Sequence, residues 1–256
     1  MSDQARRARH FRELHVPGTP LVLFNVWDVG STNAVTAGGA KAIATSSWSV
    51  AQANGFADGE QLPLPVVIEN LRRIVGATGL PGTVDLGSGY GATPEAVSSS
   101  IALAIDVGAV GCNLEDSVPA DGRLRSAADQ TGRIRSARRA AEAAGLPFFI
   151  NARTDVFFQR PAAQHDDAMV SEALERAKRY RDAGADGLFA PGLIDIRLIA
   201  RLVAASPLPL NVMLQESTPP VKELADHGVA RVSHGPGPYL LAMKALEAAA
   251  RAASSS

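Results

Sequence analysis

Residues 108–115, GAVGCNLE, carry the pattern that decides the fold. A glycine closes a helical stretch, an apolar run starts at once, and the run ends on an acid. The same punctuation recurs at Gly38-Gly39-Ala40, Gly184-Ala185 and Gly228-Val229. Glycine readily takes the left-handed backbone that ends a helix, so each site reads as the turn from a helix into a strand. Working outward, eight apolar runs are predicted as strands, at 21–26, 41–46, 82–86, 109–115, 147–153, 185–191, 208–214 and 229–235. Helices are predicted between them, with starts or ends near Ser31–Ala37, Pro65–Thr78, 94–108, Gly132–Ala144, Asp166–Ala183, Ile194–Ala204, Pro220–His227 and Pro238–Ala252. The runs are continuously apolar, as strands covered on both faces should be. Eight βα units predict a single-domain (β/α)8 TIM-type barrel over residues 1–256. It carries an N-terminal helix within 1–15 and a disordered tail at 252–256. A doubly wound sheet is the alternative, but no G-x-G-x-x-G turn follows the first strand.

The composition narrows the function classes. The chain has 256 residues, with 25 Lys+Arg against 26 Asp+Glu, a formal net charge of -1. No global basic field exists to draw in nucleic acid or an anionic membrane. The N-terminus has the basic part of a signal peptide without an apolar part behind it, and no apolar run reaches the roughly 18 residues of a spanning helix. Arg6, Arg7 and Arg9 are expected on an exposed helix face, with Phe11 and Leu14 packed inward. One cysteine, Cys112, forms no internal disulfide and no multi-cysteine zinc site, and its place inside a strand predicts a buried thiol. A cytoplasmic location is expected.

Barrel enzymes place their sites at the C-terminal strand ends. Polar residues gather there: Asn25, Trp27 and Asp28; Ser46, Ser47 and Trp48; Asp85; Glu115 and Asp116; Asn151, Arg153 and Asp155; Asn211 and Gln215; Ser233 and His234. Asp85, Glu115 and Asp116 offer hard oxygen donors of the kind Mg²⁺ takes while keeping several waters. Arg153 offers a planar fork suited to a carboxylate. Each has a plainer reading. Asp85 would cap a turn, Glu115 and Asp116 would pair with arginines, Arg153 would pair with Asp155 or Asp116, and the two tryptophans would pack.

Seven segments together resemble the isocitrate lyase/phosphoenolpyruvate mutase superfamily, from about Phe11 to Ala250. They are 11–31, 44–63, VDLGSGYGATPEAV (84–97), GAVGCNLEDS (108–117), INARTDVF (150–157), 184–193 and 228–235. The resemblance implies a (β/α)8 barrel whose C-terminal helix packs on or swaps with a partner subunit, in a homodimer or homotetramer. It implies a Mg²⁺-dependent (or Mn²⁺-dependent) lyase, mutase or hydrolase acting on small α-keto or α-hydroxy carboxylates. By the same resemblance Asp85 and Glu115 belong to the metal site, Arg153 binds substrate carboxylate, and Ser46, Ser47 and Trp48 line the substrate end. Asp58 matches a loop acid near the site. Trp27 and Asn211 are added as substrate contacts, and His234 as a catalytic candidate beside Asp58 and Arg153.

Two departures stand out. Relatives carry a second acid two residues after the Asp85 position, where this chain has Gly87. The isocitrate and methylisocitrate lyases carry a K-K-C-G-H loop whose cysteine is the catalytic acid, and residues 119–126 hold neither Cys nor His. The expected activity is cleavage of a C–C or C–P bond of an oxaloacetate- or phosphonopyruvate-like acid through an enolate, with decarboxylation or hydrolysis favoured over retro-aldol chemistry. The alternatives are a non-catalytic carboxylate binder on the same barrel, or a 2-hydroxy-acid lyase with a different general acid. A Schiff-base aldolase is excluded because no lysine sits at a C-terminal strand end.

Overall fold

The structure is a computed structural model that describes residues 2–255. The strands are β1 (Leu21–Leu23), β2 (Ile43–Ala44), β3 (Gly82–Asp85), β4 (Gly111–Glu115), β5 (Phe149–Arg153), β6 (Gly187–Phe189), β7 (Leu210–Met213) and β8 (Arg231–Ser233). All pair in parallel in the order β1-β8-β7-β6-β5-β4-β3-β2, and a lone bridge between Val26 and Thr45 brings the two ends of the sheet together. The chain is thus the (β/α)8 barrel that the repeating turns predict. The strands are shorter than the apolar runs. Ala109, Val110 and Leu86 are buried just beyond the strand ends, and Val110 still bonds to Gly82 and Phe149 and Leu86 to Asn113 through the backbone.

The helices are α1 (Asp3–Glu13), α2 (Val29–Ala37), α3 (Ser47–Ala53), α4 (Leu64–Gly76), α5 (Pro94–Asp106), α6 (Ala127–Ala143), α7 (Asp167–Asp182), α8 (Ile196–Ala205), α9 (Val221–Asp226) and α10 (Gly237–Ser254). Sequence reading missed α3 and started α6 five residues late. Both helices open on a serine whose hydroxyl accepts a backbone N–H: Ser46 from Ser49, and Ser126 from Asp129. That is the N-cap signal. The predicted tail is corrected in part, because α10 runs on through Ser254; Ser256 lies outside the described residues.

Helix α1 closes the N-terminal end of the barrel. Its Gln4 side chain donates to the carbonyls of Ile105 and Ala109, and Phe11 packs edge-on against Phe149 at 5.5 Å. Gly111 must be glycine here, since a Cβ would sit 2.8 Å from the Phe149 carbonyl oxygen. Gly108 turns from α5 toward β4 at φ +105°, where a side chain would be strained.

Above that floor the barrel interior is polar. Asn151 donates to Asn113 Oδ1 at 2.9 Å, Ser233 donates to Asn211 Oδ1 at 3.2 Å, and Arg231 reaches Asn113 and Ser233 at 3.3 Å each. Among the described residues, Arg231 Nη1 and Asn211 Nδ2 have no partner. Burial pulls the Arg231 guanidinium down to about 9, against the attraction of Asp85.

One side of the barrel is uncovered. An apolar groove of about 750 Å³ runs beside β1 and α2, lined by Leu14, Val16, Pro20, Val22, Phe24 and Val35 among others. Helix α10 does not fill it: only Pro238 of that helix is buried, and Leu240, Leu241 and Leu246 are 51–63% exposed.

Candidate active site

The parallel register sets Asp85 level with Asn113, and Glu115 level with Arg153. Three neighbouring strands, β3, β4 and β5, therefore deliver two carboxylates and a guanidinium to one place at their C-terminal ends. A cavity of about 50 Å³ opens there, walled by Ser47, Asp58, Glu60, Gly87, Glu115 and Arg153 among others. Asp85 lies in an adjoining recess shared with Ser47 and Tyr90. Its carboxylate accepts the backbone N–H of Ser47 at 3.2 Å and of Gly87 at 3.4 Å. Thr45 Oγ1 accepts the Asp85 N–H at 3.0 Å, which fixes the strand end.

The acids crowd one another. Burial is the main cause that raises the Glu115 carboxyl, with the charges of Asp155 and Asp85 adding to it and Arg153 opposing. Asp58, on the loop that follows α3, is raised by desolvation and again by Asp85, against hydrogen bonds from the Gly59 backbone and Ser47. Arg153 answers this charge. Its Nη1 lies 2.8 Å from Glu115 Oε2, while Nε and Nη2 hold Asp155 at 2.6 and 3.0 Å. A guanidinium has five N–H groups, so donors remain for a substrate carboxylate.

The loop after β3 is stitched from two sides. Glu60 Oε1 accepts the N–H groups of Ser88 and Tyr90, at 2.8 and 3.1 Å, and the Ser88 hydroxyl at 2.9 Å. From α6, buried Arg133 donates to the carbonyls of Ser88, Gly91 and Ala92 at 2.6, 2.8 and 3.3 Å. Sequence reading found neither residue. The glycines of DLGSGYG signalled a strained turn, but not which side chains would satisfy it.

The remaining candidates divide. Ser47 and Asp58 join Asp85, Glu115 and Arg153, and Ser46 sits behind them as the α3 cap. Asp116 takes its plainer reading, paired with an arginine, Arg176, at 3.1 Å. It is wholly buried and takes hydrogen bonds from the Thr154 and Tyr180 hydroxyls, the Asp155 N–H and Arg176, so it braces the barrel wall behind the site. His234 also falls outside the cavity. It follows inward-facing Ser233, and strand alternation turns it onto the outward-facing Phe24 at 4.8 Å, with Nδ1 3.1 Å from the Leu23 carbonyl. Asn211 is buried in the polar interior beneath the mouth. Trp27 and Trp48 stand away from the cavity, each edge-on to Tyr239 of α10, at 5.1 and 5.8 Å. Cys112 is fully buried, which pushes its thiol up and leaves it inert. The 119–126 segment folds as a short turn. A bridge between Ser117 and Leu124 closes it, and Gln159 holds the Gly122 carbonyl at 3.1 Å.

The donor set suits a divalent cation that keeps water. Among the described residues no three acids, histidines or cysteines stand close enough to enclose an ion directly. Yet Asp58 and Glu115 wall one small polar cavity, Asp85 lies in the recess beside it, and the charge of Asp85 helps raise both of the other carboxyls. Mg²⁺ binds through one or two carboxylates and retains several waters.

The family model described as phosphoenolpyruvate phosphomutase matches residues 11–254. A crystal structure from Burkholderia cenocepacia J2315, described as a candidate phosphonomutase, is 54% identical. It superposes with a TM-score of 0.96 over 98% of this chain and 99% of that one. An uncharacterized Mycobacterium tuberculosis protein is 34% identical over 95% of this chain and 88% of its own length. Two enzymes are 28% identical: 2-methylisocitrate lyase of Escherichia coli, over 80% of this chain and 69% of its own, and oxaloacetate decarboxylase of Pseudomonas syringae pv. tomato, over 72% and 62%.

Proposed function

The chain belongs to the phosphoenolpyruvate phosphomutase family, within the superfamily shared with isocitrate lyase, and from that premise we propose that it is a lyase-type enzyme. It cleaves a C–C or C–P bond of a small α-keto carboxylate, of the oxaloacetate or phosphonopyruvate kind, through an enolate. The observation that carries this reading is the meeting of Asp58, Glu115 and Arg153 around one cavity at the barrel mouth, with Asp85 in the recess adjoining it.

Asp85 is the carboxylate that would hold Mg²⁺ or Mn²⁺, with Asp58 and Glu115 taking up the charge of its waters. When bound, such an ion supplies electrophilic stabilisation of the oxygen that gains charge as the bond breaks. Arg153 binds the substrate carboxylate, and its anchorage on Glu115 and Asp155 sets the plane in which the carboxylate lies. Ser47 offers a hydroxyl at the cavity wall. Asp58, whose carboxyl is raised by desolvation and then by the charge of Asp85, is the group able to move a proton there.

The 119–126 turn supports decarboxylation or hydrolysis over retro-aldol cleavage. It contains neither Cys nor His to protonate the carbanion that retro-aldol cleavage leaves; loss of CO₂ leaves a pyruvate-type enolate whose carbon would take its proton from water or from Asp58 at the cavity. Purified protein is assayed with oxaloacetate and with phosphonopyruvate in Mg²⁺, following pyruvate and inorganic phosphate. Turnover of one of them, abolished in Asp85→Ala, is expected. Turnover unchanged in Asp85→Ala would remove the metal role. Binding of either acid without product would favour a carboxylate binder instead.

We also propose that the working form is a homodimer or homotetramer in the cytoplasm, with α10 of one copy covering the groove of another. What supports it is complementarity within one chain: an apolar helix face without a partner, and an apolar groove that no helix fills.

A further inference from the structure

Among the described residues, Glu60 is one of two non-glycine residues in the left-handed region, at φ +63°, and the other is Tyr90 at φ +55°, on the loop that Glu60 binds. Such backbones are strained and persist where the surroundings hold them. What holds Glu60 is a single carboxylate oxygen. Oε1 takes all three hydrogen bonds from Ser88 and Tyr90, and among the described residues no hydrogen bond reaches Oε2. Glu60 also walls the cavity that contains Asp58, Glu115 and Arg153. A side chain at Gly87 would be crowded and strained: its Cβ would stand 3.1 Å from Glu60 Oε1, at φ +57°. The two positions thus compete for one space. The space a residue at 87 would enter from the β3 loop is held by a carboxylate arriving from the loop before α4.

We infer that Glu60 supplies, from the loop before α4, the carboxylate that the β3 loop lacks at Gly87, with Oε1 fastening the loop and Oε2 facing the water shell of the divalent cation. This rests on the cation reading of the site given above. Geometry supports the placement: Glu60 lines one cavity with Asp58, Glu115 and Tyr90, and Tyr90 also lines the recess that holds Asp85.

The test is Mn²⁺ binding to the full chain without substrate, read from the free-ion paramagnetic resonance signal. Glu60→Gln keeps an oxygen for the three loop donors and removes the charge. A loss of about 10–100-fold in Mn²⁺ affinity is expected, the range for groups that act through a metal's outer shell. The metal-free melting temperature should stay within a few degrees of the parent. If that temperature drops, the exchange variant Glu60→Gly/Gly87→Asp decides: recovered Mn²⁺ affinity supports the inference, and none overturns it. Parent-like Mn²⁺ affinity in Glu60→Gln overturns the role of Glu60 and leaves the cation site standing. No Mn²⁺ binding by the parent chain overturns both.

Discussion

Arg153 and Glu115 lie directly across from each other on β5 and β4, and their side chains meet at 2.8 Å. The pair joins the proposed substrate anchor to the acidic wall, so neither can be changed alone without shifting the other. Arg153→Lys keeps one positive charge but loses the planar fork that spans Glu115 and Asp155. A fall of roughly 100-fold in kcat/KM on the substrate that turns over is expected, the scale of losing one preorganised donor group. Steady-state kinetics checks it; a change below threefold would remove Arg153 as the anchor.

Arg231 is a buried charge with no carboxylate bonded to it, and one of its nitrogens has no partner. Its neighbours keep other bonds: Asn113 retains Asn151, and Ser233 retains Asn211. An apolar residue of similar volume removes the desolvation cost. Arg231→Met is therefore expected to be neutral or stabilising, by up to about 4 kcal/mol. Urea unfolding measures it, and a clear loss of stability would show that the charge is compensated.

His15 stacks on Phe149 at 4.0 Å and is lowered to about 3, chiefly by burial, then by Arg231 and opposed by its bond to the Phe11 carbonyl. In the unfolded chain it titrates near 6.5. Between those values the unfolded state binds the extra proton, so folding stability falls as pH drops below 6.5. The slope approaches 1.36 kcal/mol per pH unit, or about 2 kcal/mol between pH 6.5 and 5. His15→Phe, which cannot take that proton, should lose less over the same interval. Denaturation of both proteins at the two pH values tests this, and parallel losses would assign the acid sensitivity elsewhere.

The exposed leucines of α10 give the last expectation. In light scattering, the purified chain should run as a dimer or larger. Leu240→Lys/Leu241→Lys/Leu246→Lys should shift it toward monomer, with the groove beside β1 left open. A monomeric parent would refute the covered groove.

Much of the site was legible before folding because a barrel imposes one rule: strand ends share one face. Asp85, Glu115 and Arg153 end three strands, so strand order alone brought them together. Asp116 and His234 failed that rule by one residue. Strand alternation turned the first into the wall behind the site and the second onto the outer surface. Glu60 and Arg133 could not be read at all, because each reaches the β3 loop from a distant segment and no local pattern announces the meeting.

The sequence by itself determined the eight βα units, the single domain, the family and the acids at the strand ends. These follow from periodicity, glycine turns and motif spacing, all of which are local. Only the tertiary structure decided that Glu60 occupies the space beside Gly87, that Arg231 lies inside the barrel with no carboxylate bonded to it, and that α10 leaves its own groove open. Those outcomes depend on side chains far apart in the chain competing for one small volume, and sequence distance carries no information about that competition.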